Sequence, residues 1–181
     1  HLHPFRLTNP GLGGECVKNR SRLVAEASLF AALYAVGVLL LAPISFGVLQ
    51  VRVADALIPL SILFGWPVVA GVTLGNLVAN ALGSPFGIVD IVGGTVANLI
   101  ASYLAMKIAY TRFRGSWLLG CTSANVSVSV IVGGYLTWLA QIPLDSPLWE
   151  LPIVGVLLGS TVSINIAGYL LLKALKRRMV K

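Results

Sequence analysis

The run LVAEASLFAALYAVGVLLLA, residues 23–42, is the first of several long apolar stretches in this chain and decides its fold class. A bilayer core about 30 Å thick needs roughly 20 mostly apolar residues per helical crossing, and this run supplies them with one charged residue, Glu26. A transmembrane β-barrel would instead show segments of about 10 residues in which apolar and polar side chains alternate. Neither this run nor residues 87–110 alternates in that way, so the sequence predicts membrane-spanning helices.

The overall composition agrees with a membrane protein. Of the 181 residues, 57% are hydrophobic and only 10% are charged, a balance unlike that of soluble domains. The net charge of +7 does not indicate nucleic-acid binding, because the Lys and Arg residues cluster at the ends of apolar runs, as topology signals do. Cys16 and Cys121 lack the spacing of metal ligands or of a disulfide framework. We therefore expect a lipid bilayer as partner, no nucleic acid and no metal.

Gly, Pro and charged breaks divide the chain into six predicted helices. We expect an all-α integral membrane protein, a bundle of six transmembrane helices in one domain of residues 21–176. A disordered N-terminal tail, residues 1–20, precedes it, and a basic C-terminal tail, residues 177–181, follows it. The predicted helices are 22–42, 50–65, 67–83, 87–110, 116–140 and 148–174. The second is short for a crossing and is compatible with a tilted, re-entrant or sheltered helix.

The positive charges predict the orientation of this bundle. With six crossings both termini lie on one side, and the clustered Lys and Arg residues all fall on that side. The opposite face carries Asp90, Asp145 and Glu150 without Lys or Arg. By the positive-inside rule both termini are cytoplasmic in the cell membrane, and Arg52 lies in the outer half. The clustered residues are Lys18, Arg20, Arg22, Lys107, Arg112, Arg114, Lys173, Lys176, Arg177, Arg178 and Lys181.

Small residues spaced by four form ladders on several predicted helices. Such ladders let helix backbones approach closely, and close packing holds helices together in lipid. On helices 3, 4 and 6 the ladders indicate packing within the bundle, whereas the ladder of helix 1 could equally face a second protein. The ladders are Ala27, Ala31 and Ala35; Gly71, Gly75, Ala79 and Gly83; Gly93, Ala97, Ala101 and Ala105; and Gly155, Gly159, Ser163 and Ala167.

Two charges near the start of predicted helix 2 need an explanation. A charged residue within a membrane span costs about 2.5–3.5 kcal/mol on insertion scales, so it usually faces the protein interior or a wet cavity. Arg52 and Asp55 are three residues apart and can neutralise each other on one helix face. Either they form a self-contained pair near the interface, or they line an outward-opening pocket in which one of them also contacts a ligand.

Further polar and aromatic residues are expected in the same outer half. Each buried asparagine amide needs hydrogen-bond partners, and contacts between helices are the simplest source of them. Together with carboxylates and tryptophans, however, these amides suit a flat, polar heterocycle that stacks on rings and is hydrogen-bonded along its edge. The predicted ligand-binding residues are Arg52, Asp55, Asn76, Asn80, Asp90, Asn98, Trp138 and Glu150.

Catalytic signatures are absent from the sequence. It contains no phosphate-binding loop, zinc-protease motif or nucleophile elbow, and its two histidines, His1 and His3, precede the apolar runs. We therefore expect no enzyme and no cofactor, although an intramembrane enzyme built on carboxylates is an alternative. A stand-alone carrier or channel and a structural subunit are further alternatives to a ligand-binding subunit.

The segments VRVADALIPL, GNLVANALG and GIVDIVGGTVANLIA together resemble the queuosine-precursor transporter (QueT) family. Its motifs fall on Arg52 with Asp55, on Gly75 with Asn76 and Asn80, and on Gly87 with Asp90. The resemblance implies a substrate-binding S component of an energy-coupling factor (ECF) transporter, which captures a deazaguanine or related heterocycle from outside. It also implies two kinds of partner, a coupling transmembrane subunit and cytoplasmic ATPases. The helix 1 patch Ala27, Ala31 and Ala35 would contact the coupling subunit.

Two positions depart from the family pattern. Asp55 stands where the family usually has Glu, and Gly159-Ser160 stands where it usually has a Gly-Glu pair. The loss of a helix 6 carboxylate affects the expected deazaguanine substrate more than the expected fold. Glu150 is a candidate replacement for that charge.

Overall fold

The computed structural model describes residues 13–45, 52–111, 115–141, 143 and 148–179, and all of its regular elements are helices. Within these residues, eight elements are α-helices, one is a 3₁₀ helix, and one is a π-helix. The elements are α1 (Gly13–Leu40), α2 (Ala42–Ser45), the 3₁₀ helix (Val53–Leu60), α3 (Ser61–Phe64), α4 (Trp66–Gly83), α5 (Ile88–Ala109), α6 (Ser116–Leu139), α7 (Leu151–Ser160), the π-helix (Thr161–Gly168) and α8 (Tyr169–Met179).

Among the described residues, five helices are long and apolar enough to cross a membrane, which confirms the predicted helical class. They are Arg20–Leu40, Trp66–Gly83, Ile88–Ala109, Ser116–Leu139 and the continuous Leu151–Met179. The short second helix of the prediction corresponds to the shorter apolar helix Val53–Phe64, made of the 3₁₀ helix and α3. Leu, Val and Ile side chains cover much of the outer surface, as expected for helices that contact lipid.

The chain ends differ from the expected boundaries where they are described. Helix α1 begins at Gly13 and so includes residues 13–20, which the sequence assigned to a disordered tail. Helix α8 continues to Met179, into the predicted basic tail. Residues 1–12 and 180–181 lie outside the described residues. So do Arg112, Arg114 and Asp145, which entered the orientation argument.

The alanine ladder of α1 packs against the glycine ladder of α4. A Cβ atom on Gly71 would lie 2.7 Å from the backbone oxygen of Ala27, and one on Gly75 would lie 2.6 Å from that of Ala31. Only glycine therefore permits this approach, and the predicted packing role of the α4 ladder is confirmed. Ala27, Ala31 and Ala35 are half-buried, so one side of the α1 ladder is already occupied within the chain.

The short segment Val53–Phe64 sits inside the bundle. Its 3₁₀ helix rises about 2.0 Å per residue, against about 1.5 Å for an α-helix, so the whole segment extends roughly 20 Å. The segment packs closely against the last span: a Cβ atom on Gly168 would lie only 2.8 Å from Cγ of Pro59. Buried Ile58 and Leu60 fix its inner side in the core.

The ladder predicted on the last span is wrong at its final position. Gly159 and Ser163 are buried as expected, but Ala167 is exposed and Gly168 is buried in its place. The cause is the π-helix, whose hydrogen bonds run from i to i+5 and add one residue to the turn. A spacing of four therefore gives way to a spacing of five between Ser163 and Gly168.

Replacement of Gly75 by Ala is expected to destabilise the fold. The new Cβ would overlap the Ala31 backbone, and overpacking of this kind costs about 1–3 kcal/mol. The measurement is the thermal unfolding midpoint of the purified protein in detergent. Gly134→Ala in α6 is the matched control, since a Cβ there meets nothing within 4 Å. Equal losses in both variants would contradict the close α1–α4 contact.

Candidate functional site

Arg52 lies at the start of the 3₁₀ helix and projects into the bundle. Its backbone is extended (φ −86°, ψ 95°), which lets the side chain turn inward before the helix begins. The residue is only 5% exposed. One guanidinium nitrogen, Nη1, donates to Oδ1 of Asn76 at 3.0 Å, and the other, Nη2, lies 3.4 Å from both carboxylate oxygens of Asp90.

Asp90 is the most fully bonded residue of the site. It lies in the first turn of α5, where the helix dipole favours a negative charge. Its carboxylate accepts hydrogen bonds from Arg52, from the Ser84 hydroxyl at 2.5 Å and from the Tyr135 hydroxyl. Its backbone oxygen accepts a hydrogen bond from Nδ2 of Asn80 at 2.9 Å. Asp90 thus ties the 3₁₀ helix, the end of α4 and α6 to α5.

Asp55 has a further partner besides the one expected. It interacts electrostatically with Arg52, as the spacing of three suggested, and Arg52 also forms an ion pair with Asp90 on another helix. Asp55 accepts a hydrogen bond from the Tyr34 hydroxyl of α1. Arg52 precedes the helix, so the face rule for helical residues does not apply to it, and its side chain also reaches the Asp90 carboxylate on α5.

Gly94 makes room for this polar cluster. A Cβ atom at Gly94 would lie 2.6 Å from Nδ2 of Asn80, 2.9 Å from Nδ2 of Asn76 and 3.5 Å from Nη1 of Arg52. Any side chain at this position of α5 would displace the amides of α4. The missing side chain therefore lets three polar groups reach α5 directly.

A small cavity opens beside the cluster, with a polar and an apolar wall. Its volume is about 10 Å³, the space of about one water molecule. Asp55 and Asn98 belong to the polar wall, and valines of α6 and α7 form the apolar wall. The lining residues are Arg52, Asp55, Asn98, Ser160, Val128, Val132 and Val156.

Three amides of the cluster keep an atom that no described residue satisfies. These buried atoms are Nδ2 of Asn76, Oδ1 of Asn80 and Nδ2 of Asn98. Buried polar atoms in native proteins nearly always have a partner, which is either protein, ordered water or a ligand. Only Asn98 among the three lines the cavity. The site therefore has unused hydrogen-bonding capacity that faces a space between helices.

Comparison with known proteins assigns the family. The model of the QueT transporter family matches residues 24–177, which is most of the chain. The chain belongs to the QueT transporter family. Searches of curated proteins and of solved structures found no match. Family membership together with the apolar helices makes this a multi-pass membrane protein that transports a small substrate, and it indicates a transport role rather than an enzymatic one.

In this QueT-family chain, six of the eight predicted site residues come together and two do not. The six are Arg52, Asp55, Asn76, Asn80, Asp90 and Asn98, all buried. Trp138 is 70% exposed, because Thr137 takes the inward position at that turn and the next residue points about 100° further round the helix. Glu150 is exposed at the start of α7 and does not line the cavity.

Sequence reasoning missed the hydroxyl groups of the QueT site. Tyr34, Ser84 and Tyr135 each donate to a site carboxylate, yet none was predicted. A signal existed for Tyr34, since a tyrosine in the middle of an apolar span needs a partner for its hydroxyl group. Ser160 was noted only as a departure from the family pattern, and it lines the cavity.

Asn125 shows the alternative role that the sequence allowed for an asparagine. Its Nδ2 donates to the Thr161 hydroxyl at 2.9 Å, and Ser129 donates to its backbone oxygen at 2.7 Å. The bond to Thr161 joins α6 to the π-helix, and the bond from Ser129 lies within α6. Asn125 is therefore a structural link between helices, and it does not line the cavity.

We expect Asp90→Asn to destabilise this protein strongly, because it leaves the buried Arg52 cation without its carboxylate. Loss of one member of a buried pair costs about 3–5 kcal/mol. The double variant Arg52→Gln with Asp90→Asn removes both charges and should lose less. Thermal unfolding in detergent measures both effects.

Glu26→Gln is the control for these two variants, since it breaks the partly exposed Arg22–Glu26 pair of 2.7 Å. Surface pairs of this kind contribute little, so stability should change only slightly. A double variant as unstable as Asp90→Asn would argue against the buried ion pair as the source of the loss.

Proposed function

We propose that this chain is the S component of an ECF-type importer. In this role it captures a queuosine precursor (a deazaguanine) or a related small heterocycle from outside the cell. It then delivers the ligand together with a coupling transmembrane subunit and cytoplasmic ATPases. The observation that carries the proposal is the cavity between the Arg52–Asp90 cluster and the valines of α6 and α7, with unsatisfied amide groups beside it.

The two walls of the cavity suit a flat ring with a polar edge. A ring lying against Val128, Val132 and Val156 would present its edge to Asp55 and Asn98. Ligand pockets usually enclose about 300–1,000 Å³, so the cavity has to widen when a heterocycle enters. The short Val53–Phe64 segment carries Arg52 and Asp55, and its movement would open the polar wall.

The proposed topology has six crossings, with Val53–Phe64 as the second, and cytoplasmic termini. The start of α4 contacts the end of α5 through Trp66 and Tyr103, whose ring centroids are 5.7 Å apart. The start of α6 contacts α8 where Lys176 lies 4.2 Å from the centre of the Trp117 ring. The basic residues at these helix ends support a cytoplasmic face by the positive-inside rule. The cavity then lies toward the outer side.

The departures from the family pattern bear on the substrate. Asp55 keeps a carboxylate at the cavity, although its side chain is one methylene shorter than Glu. Ser160 also faces the cavity, but a hydroxyl group brings no charge. A ligand in this chain would therefore contact one carboxylate, from the 3₁₀ helix, rather than two from opposite walls. This arrangement is compatible with a deazaguanine and also with related uncharged heterocycles.

Ligand binding is the first test. Calorimetric titration of the purified protein with deazaguanines should show binding at micromolar concentration or tighter, while Asp55→Ala should weaken it by about 10-fold or more because a hydrogen-bonded carboxylate contact is lost. Purines and vitamins serve as comparison ligands. A lack of binding to every one of these compounds would count against the proposal.

Reconstituted transport distinguishes an S component from a stand-alone carrier. Liposomes that contain this chain alone should not accumulate the ligand. Uptake should appear when the coupling subunit and ATPases are added together with ATP, because this sequence has no phosphate-binding loop. Uptake by the chain alone would favour the carrier.

The proposed coupling surface is the open side of the α1 ladder. Ala35→Leu adds bulk at a half-buried position, and it should weaken association with the coupling subunit while ligand affinity stays unchanged. Ala35 is a better choice than Ala31, whose backbone packs on Gly75. Copurification and titration measure the two properties. If Ala35→Leu leaves both association with the coupling subunit and ligand affinity unchanged, the alanine ladder contributes to the α1–α4 contact and not to a coupling surface.

A further inference from the structure

Asn98 has an unused hydrogen-bond donor in the cavity wall. The residue lies on α5, is 2% exposed, and its Nδ2 has no hydrogen-bond partner among the described residues. The Tyr34 hydroxyl is a neighbour, but an amide group carries two N–H donors, so a phenol oxygen would leave one unused. A buried donor that makes no hydrogen bond is energetically unfavourable. A ligand in the cavity can supply the missing acceptor.

Asp55 and Asn98 are chemically complementary. An ionised carboxylate only accepts hydrogen bonds, whereas the Nδ2 group of Asn98 only donates. Both line one cavity. Asp90 has no such role, because Arg52, Ser84 and Tyr135 already occupy its carboxylate. A ligand edge that fits this wall therefore offers a donor to Asp55 and an acceptor to Asn98.

We propose that Asn98 is the specificity-determining residue of the site. It donates a hydrogen bond to a carbonyl oxygen on the edge of the heterocycle and thereby excludes analogues with an amino group in that position. The inference rests on the proposed function. It adds the ligand chemistry that the site selects and names the residue that selects it.

The selectivity follows from the direction of one hydrogen bond. A carbonyl oxygen accepts from Nδ2 of Asn98, whereas an amino group places donor against donor and leaves both unsatisfied. We expect wild-type protein to bind 7-deazaguanine about 10- to 100-fold more tightly than 2,6-diamino-7-deazapurine, in which an amino group replaces the carbonyl oxygen. The two compounds have the same ring system and differ in that group and in the ring proton that accompanies it.

The test compares both compounds with four proteins, the wild type and three variants, in calorimetric titrations. Asn98→Ala should lose most of the preference, mainly through weaker binding of the carbonyl compound. Asn98→Asp should favour the amino compound, because the new carboxylate accepts from it. Asn125→Ala is the matched control: it removes a buried amide that bonds to Thr161 outside the cavity, so the preference should persist. Thermal unfolding verifies that each variant is folded, and Asn98→Leu, which is similar in size to Asn and has no hydrogen-bonding group, replaces Asn98→Ala if that variant is not.

The outcomes separate this inference from the function beneath it. An unchanged preference in folded Asn98→Ala or Asn98→Leu overturns the role of Asn98 and leaves the proposed function standing. Preference of the wild-type protein for the amino compound also overturns the inference, since an acceptor would then face the ligand. If wild-type protein binds neither these compounds nor any other heterocycle tested, the proposed function itself fails.

Discussion

The buried contact between Arg52 and Asp90 is the constraint on which the rest of the site depends. Ionised groups within a membrane-embedded bundle need partners, and here the partners come from several helices. Asn76 accepts from the arginine, while Ser84 and Tyr135 donate to the aspartate. The 3₁₀ helix, α4, α5 and α6 must therefore keep one arrangement for these groups to remain satisfied. Small residues then allow the approach that this arrangement requires.

The two carboxylates near the cavity have separate tasks because their surroundings differ. Asp90 is saturated by protein donors and holds Arg52 in place. Among the described residues, Tyr34 is the one that donates a hydrogen bond to the Asp55 side chain. Asp55 also lines the cavity. The Arg52–Asp90 pair is fixed by the protein, whereas Asp55 keeps room to accept a hydrogen bond from a ligand. Such a site favours binding, because its side chains are oriented before the ligand arrives and lose less conformational freedom on binding.

Much of the fold was predictable from sequence, and the reasons are local. Apolar runs predict long helices, and the α4 ladder of Gly71 and Gly75 predicts a close helix contact. Six of the predicted site residues meet, since polar groups in spans avoid lipid. The Arg52–Asp90 pair was missed because the two residues lie on elements that are distant in sequence, and the sequence does not show which elements pack together. Trp138 was misplaced because polarity and depth in the membrane do not specify which way a helix is turned.

The π-helix has a consequence for the evolution of the last span. Its additional residue rotates everything after it by about 100° relative to a regular α-helix. Ser160 precedes this offset, whereas the basic end of α8 follows it. A one-residue deletion here would shorten the helix only slightly but would turn α8 to a new azimuth. The number of residues in the π-helix thus sets how far the basic half of the span is rotated about the helix axis relative to the half that lines the cavity.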